Sequence, residues 1–447
     1  MDFISACRKF ISIDSSPSSG NWELVQYAAE LCREAGLKVE IQHEYQNGIL
    51  QSNIIARPTK EIPEDEFMLQ GHLDTPESGD FSLWKKTDAN PFNASIFQDA
   101  IYGLGTADVK LDFLCKLEAV RPIIGSQLKL PFVLVGTFGE EIGMQGAIKL
   151  IRKKKIAAKK ALIGQPSGMR LISAGKGYGT IEIEIPFSAE EKEYRSLHDE
   201  SESSSTQSKI FVGRAAHSSA PEMGENAISK MFEYFKKLPE DLMLMEMHGG
   251  INCNTVPANA VLEIDVVGGI RDAIGKKLNK VFKIIAQIEE EFKNFPDVNF
   301  DPAIPTLNIG MVRTLPDHIK LSGCFRIPPN ITNENFENWM KMIQDTCVSI
   351  GGTFRITDYK QPFKNLGPSD FMALCQQQLE KLGLNSQPAT QAITNEANVF
   401  SRFGIECVVT GPGQGVGNSH APNEHVKISD LMTAIEFYRL VVEKICL

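Results

Sequence analysis

Residues 68–80 read MLQGHLDTPESGD, an apolar run that ends in a histidine and an aspartate two positions apart, with acidic residues behind them. If Phe67 to Gln70 is a buried strand running on into the motif, the two-residue period puts His72 and Asp74 on the same side. A metal-binding histidine needs this arrangement: one ring nitrogen meets the ion while the other donates to a carboxylate that fixes the tautomer. The plainer alternative is that Asp74 opens a turn into Pro76 and His72 is a satisfied core histidine. The rest of the chain has to decide.

Working outward, further short apolar runs appear: SNIIAR, FVLVGT, ALIG and, much later, ECVVTG. Helical patterns alternate with them. NWELVQYAAELCREAGL spaces Leu24, Val25, Ala28, Leu31 and Cys32 as one helix face and stops at Gly36. KLDFLCKLEAVRPI also reads as helix. The alternation predicts an α/β fold, a doubly wound mixed sheet with helices on both faces. After SAGKGYG (173–179) the pattern becomes TIEIEI, the mark of an antiparallel strand with one wet face. HDESESSSTQS (198–208) has too little apolar area to order itself. Alternating strands (AVLEIDV, HIKLSGCFRI) and helices over about 271–293 and 333–348 come next. We therefore expect residues 1–177 and 361–447 to form one domain, with 178–360 inserted as an α+β domain. Residues 254–262 and 313–321 echo each other weakly, which fits chance better than duplication, with two related β-turn-β units in the insert as the alternative. The RKKK run at 152–155 reads as a solvated helix end.

At 447 residues the chain exceeds what one core serves, and 42% hydrophobic with 23% charged residues is an ordinary globular composition. A net charge of −10 offers no basic field for nucleic acid or an anionic membrane, so neither is expected as a partner. The nine cysteines are scattered, with no C-x-x-C pair, and read as reduced core residues of a cytoplasmic protein. MDFISACRKF does not read as a signal peptide, and no run approaches the ~18 apolar residues of a membrane span.

The chemistry gathers where the apolar runs stop. FMLQ leads to Gly71-His72-Leu73-Asp74, FVLVGTF to Gly139-Glu140-Glu141, ALI to Gly164-Gln165, and ECVVT to Gly411-Pro412-Gly413 and then His420. In open α/β sheets, sites collect at the carboxyl ends of strands. Gly103 to Asp108 (GLGTAD) imitates a dinucleotide loop but ends in aspartate, and Asp108 alone could be a helix N-cap. Pro422 opposes a helix through His420, Glu424 and His425. GPGQGVG has no helix promptly behind it, which argues against a phosphate loop. Together, imidazoles and carboxylates are the ligand types zinc takes. Buried without a cation, Asp108, Glu140 and Glu141 would repel.

The ordered series GHLDT, GLGTADVK, GTFGEEIGMQGA, GQPSG, GKGYG, GRAAHSSAPEMGENAI and GPGQGVGNSHAPNEHV resembles metallopeptidase family 20, the zinc deacylases and exopeptidases. Acetylornithine deacetylase, succinyl-diaminopimelate desuccinylase, aminoacylase and glutamate carboxypeptidase belong to it. The resemblance implies a catalytic domain with an inserted ferredoxin-like domain for lid and dimer contacts. It makes His72 a ligand of one metal with Asp74 as its partner, Asp108 the bridging carboxylate, Glu141 and His420 ligands of the other metal, and Glu140 the general base. It makes His217 the oxyanion-binding histidine, in its own chain or across a homodimer. Arg326, Asn254 and the backbone N–H groups of Gly411 and Gly413 would hold a substrate carboxylate, and Glu396 a basic substrate side chain. Gln165 departs: the family carries Glu or Asp there, and an uncharged amide binds zinc more weakly. One tight zinc is therefore expected, with the second weak or absent and cobalt a substitute. The implied reaction is deacylation, acetyl first, of a small N-acyl amino acid, as in arginine biosynthesis. A dipeptidase or carboxypeptidase, and an impaired relative that only binds such compounds, are the alternatives.

Overall fold

The computed structural model describes residues 2–198, 206–267, 270, 273–365 and 369–447. Most of the polar stretch expected as a loop, 199–205, lies outside the described residues. The chain divides into two compact units: Met1–Ala174, Phe363–Thr390 and Asn395–Leu447 form one, and Gly175–Pro362 with Gln391–Thr394 form the other.

The first unit is built on a mixed sheet. Its strands run Lys38–Gln46, Ile49–Arg57, Phe132–Thr137, Glu66–His72, Ala158–Ile163, Glu406–Val409, Ile172–Gly175 and Phe363–Lys364, with Ala389–Gln391 beside Ile172–Gly175. The central strand Glu66–His72 is buried along its whole length, which is why Phe67, Met68 and Leu69 follow one another with no polar alternation. It pairs in parallel with Phe132–Thr137 on one side and Ala158–Ile163 on the other. His72 lies opposite Thr137 in that register, so His72 and the Glu140-Glu141 turn leave the same edge of the sheet.

Helices cover both faces. Trp22–Glu34, Lys110–Val120 and Ile428–Cys446 share one apolar cluster with Phe67, Leu69 and Phe132. Gln145–Arg152 packs with Met68, Val133 and Val135 in another. Successive residues of one strand thus feed opposite cores. Trp22–Glu34 stops before Gly36, which has φ +94°, a conformation that side chains resist.

The second unit is a seven-stranded antiparallel sheet ordered Thr206–Val212, Asn259–Asp265, Met243–Gly249, Thr306–Thr314, His318–Ile327, Gly177–Pro186 and Thr353–Lys360. Ile181, Ile183 and Ile185 turn into a core shared with helices Ala227–Phe235, Ile274–Phe292 and Asn333–Ser349. On the wet face Glu182 pairs with Lys320 at 2.6 Å and Glu184 with Arg355 at 3.0 Å. The weak echo does not mark two equal units. Residues 313–321 turn a hairpin, whereas the short strand Thr255–Val256 pairs with Ala216–His217. Among the described residues no helix is long and apolar enough to cross a membrane. All nine cysteines are free thiols.

Candidate metal centre

Four loops of the first unit bring the ionisable residues together. His72 ends its strand fully buried. Its Nδ1 lies 3.1 Å from the backbone carbonyl of Asp74 and 3.6 Å from Asp74 Oδ1, so Nδ1 carries the proton and Nε2 is left for chemistry. Asp74 Oδ2 accepts from the backbone N–H of Glu141 at 3.1 Å, which ties the His72 loop to the next one.

Asp108 is not a helix cap. The helix behind it starts at Lys110 with Val109 in the cap position. The carboxylate instead faces two imidazoles: Oδ1 is 3.2 Å from His72 Nε2 and Oδ2 is 3.2 Å from His420 Nε2. His420 adopts φ +60° and brings Nε2 to 2.9 Å from Glu141 Oε1. Two sets of three ligand atoms, each mutually within 4.8 Å, result: Asp108, Glu141 and His420, and His72, Glu140 and Glu141. Buried Glu141 Oε1 faces His420 Nε2, and buried Asp74 Oδ1 has His72 Nδ1 only at 3.6 Å. Carboxylate oxygens beside imidazole nitrogens fit a divalent cation, and these are zinc's usual donors.

The electrostatics point the same way. Burial raises the Glu140 carboxyl well above its usual range, and Glu141 and Asp108 add repulsion that His72 only partly offsets. Burial likewise raises Glu141. For His420, burial opposes the charge, but the Asp108 and Glu141 carboxylates outweigh it and push the imidazole up to about 11. Without metal, protons on the histidines neutralise the cluster; a divalent ion would displace them.

Gln165 is 4% exposed and has no side-chain hydrogen bond among the described residues, while its backbone carbonyl sits so close to Gly411 that a Cβ there would approach it to 2.5 Å. Two expected ligand contacts, at Gly411 and Glu396, do not hold. The Gly411 N–H donates to Ser167 Oγ at 3.1 Å and is therefore not open to a substrate. The carbonyl of Gly413, at φ +79°, accepts from the N–H of Gly168 at 2.7 Å, a contact that does not involve the Gly413 N–H. Glu396 is 1% exposed and takes hydrogen bonds from Thr137 Oγ1 at 2.7 Å and from Gln70. Burial raises it to about 7, so it braces two strand ends rather than reaching outward to a basic side chain.

His217, Asn254 and Arg326 form a cluster in the second unit. Asn254 Nδ2 is 3.2 Å from His217 Nε2, and Arg326 Nη2 donates to Asn254 Oδ1 at 3.1 Å. Arg326 is 3% exposed, stacks over the Tyr178 ring at 4.9 Å and donates to the carbonyl of Ala392. It has no carboxylate partner among the described residues, and its Nε is buried without an acceptor. Burial lowers its pKa, the signature of a cation short of an anion.

The reading of the sequence missed Glu424, which is fully buried and binds the backbone beside Asp108. It also missed the ion pair beneath the strand ends, where Lys116 meets Asp112 and the carbonyl of Gln70, and Tyr438 donates to Asp112. The i,i+4 spacing of Asp112 and Lys116 on one helix could have signalled their pair, but nothing local signals Glu424 or Tyr438, whose partners are more than 300 positions away.

Residues 68–444 match the peptidase family M20/M25/M40, and the chain belongs to that family. Among curated relatives, acetylornithine deacetylase of Photorhabdus laumondii is 30% identical over 55% of this chain and 54% of its own length. The chain thus spans about half the length of that relative. The Aliivibrio salmonicida acetylornithine deacetylase is 24% identical over 97% of this chain and 94% of its own. In fold, an aminoacylhistidine dipeptidase from Vibrio alginolyticus superposes with TM-score 0.65 at 15% identity, covering 99% of this chain and 96% of that one. An M20 family metallo-carboxypeptidase from Sulfolobus solfataricus gives TM-score 0.63 at 18% identity, with 99% of each chain covered.

Proposed function

We propose that this chain is a metal-dependent amidohydrolase that removes an acyl group, acetyl first, from an N-acyl amino acid. The observation that carries the reading is Asp108, one carboxylate with an oxygen 3.2 Å from each of two imidazoles. Asp108, Glu141 and His420 would hold the tighter ion, zinc by donor type with cobalt as a substitute. His72 with Gln165 would hold a weaker second one. The ion, when bound, supplies positive charge that polarises a carbonyl and makes water more acidic.

The other roles fall to the chain's own residues. Glu140, raised above the usual carboxylate range by burial, takes the proton of the attacking water and returns it to the departing amine. Asp74 and its carbonyl hold the His72 ring. Arg326, aligned by Asn254, binds the α-carboxylate of the substrate with its planar fork. His217, in its own chain or from a second copy in a homodimer formed through the inserted unit, donates to the oxyanion. A contact of that kind is often worth ~3–4 kcal/mol. The acidic chain, with nine free thiols, fits a cytoplasmic setting.

The test is metal analysis of the purified protein, then a panel of N-acetyl, N-succinyl and N-formyl amino acids beside dipeptides, with and without zinc or cobalt. Metal-dependent release of acetate from acetyl-amino acids is the expected result. Cleavage of dipeptides alone would make it an exopeptidase, and ligand binding without turnover would make it a non-catalytic relative.

A further inference from the structure

Glu424 takes no part in either set of candidate ligands, yet it is a fully buried carboxylate. Its Oε1 accepts two consecutive backbone N–H groups, Ala107 at 2.9 Å and Asp108 at 3.1 Å. Its Oε2 is buried without a partner, and its own carbonyl accepts from Gly103 at 3.0 Å. Glu424 therefore grips both ends of the turn that delivers Asp108. The grip comes from the loop that carries His420, four residues earlier. That loop is closed on itself, since Asn418 Oδ1 accepts from His425 N at 3.1 Å and Asn418 Nδ2 donates to the His425 carbonyl at 2.8 Å. Strand residues His425–Lys427 pair with Ala100–Tyr102, and the His425 and Tyr102 rings stack at 4.9 Å. The two loops are thus fastened at their outer ends by a strand pair and at their inner ends by Glu424.

No cation contacts Glu424 within ion-pair distance among the described residues, and burial raises its carboxyl above the usual range. Lys110, the nearest buried lysine in sequence to Asp108, donates to the carbonyl of Ile13 instead. Among the described residues the two amides are the hydrogen bonds that hold the Glu424 side chain. A carboxylate that aims another carboxylate's backbone acts on geometry at the ångström scale, and a bridging ligand is where geometry matters most.

We propose that Glu424 is the positioning residue of the metal centre: through two backbone amides it sets the angle at which Asp108 presents one oxygen to each imidazole, and so couples the bridging carboxylate to the loop of His420. The proposal rests on the metal-centre reading above. It predicts a particular pattern among three variants. Glu424→Gln keeps an acceptor at the same reach, Glu424→Asp draws the acceptor back by one methylene, and Glu424→Ala removes it. Zinc affinity, measured on the full-length protein by competition with a chromophoric chelator, should stay near wild type in Gln. It should fall ~10–100-fold in Ala, the usual cost of losing an outer partner of a ligand, and by an intermediate amount in Asp.

Thermal midpoints of the metal-free proteins, taken in parallel, separate positioning from mere support. A support residue would lower those midpoints in Ala while leaving the zinc affinity of the folded protein unchanged, and that result overturns the proposal. Equal losses in Gln and Ala overturn it as well, because charge rather than the amide bonds would then be responsible. If Ala does not fold, Asp decides: wild-type affinity in Asp is the overturning result. A wild-type protein that takes up no zinc sinks the metal-centre reading and this proposal together, whereas wild-type uptake with no effect in Ala sinks this proposal alone.

Discussion

In the first unit Asp108, Glu140 and Glu141 crowd around His72 and His420, three buried carboxyl groups that without a cation must be neutralised by protons. In the second, Arg326 is buried over Tyr178 beside Asn254 and His217, a positive charge with no carboxylate in reach among the described residues. Each is costly by itself, since an uncompensated buried charge destabilises by several kcal/mol. Chains keep such arrangements where a ligand completes them. The two units are therefore unlike in what they lack: one is short of a cation and the other of an anion. A divalent metal would supply the first and an anionic group on a ligand the second.

The sharpest way to break this comparison is at Glu140. Glu140→Gln should lower kcat ~10²–10⁴-fold, the span of general acid–base catalysis, while metal content stays at the wild-type level by elemental analysis. Retained turnover removes Glu140 from the role of base. Next is Arg326→Met, which should cut kcat/KM ~100-fold, mainly through KM, with zinc affinity unchanged. A loss of metal in that variant would show that the two charge deficits are not independent.

Gln165→Glu sharpens the comparison by deepening the deficit in the first unit. It should tighten the weaker ion ~10–100-fold and bring the metal stoichiometry toward two; calorimetric titration with zinc reads both. A stoichiometry that stays at one places Gln165 outside the ligand sphere. The smallest effect concerns Lys176, also buried in the second unit, with Nζ bound to the carbonyls of Pro302 at 2.6 Å and Ile304 at 2.9 Å. Burial, and then the charge of Arg326, lower its pKa from 10.5 to about 8. Between pH 8 and 10.5 the unfolded chain binds this proton and the folded chain does not, so this lysine makes stability rise with pH across that window. Urea denaturation at a series of pH values should show that slope flattened in Lys176→Met.

The elements that the sequence displays well are those whose partners are near or whose burial is uniform. The helix Trp22–Glu34 carries its apolar stripe and its Gly36 stop within 15 residues, and the strand Glu66–His72 shows consecutive apolar residues at 67–69 because both its faces are covered. The alternation in Gly177–Pro186 likewise reports one buried and one wet face. Glu396 stood as a substrate contact only by the resemblance, which says nothing of its burial. The chain instead folds it under two strand ends, where Thr137 and Gln70 satisfy one of its oxygens. Gly411 was misjudged because a glycine loop shows its freedom but not which atom already occupies its N–H.

By itself, then, the sequence determined which strands and helices form and which residue types stand at their ends, because periodicity and burial are local properties of the chain. Only the tertiary structure decided that Asp108 turns to His72 and His420 rather than capping its helix, and that Glu424 holds it there. Those choices depend on groups some 36 to 316 positions apart meeting at distances near 3 Å, and nothing local encodes that meeting.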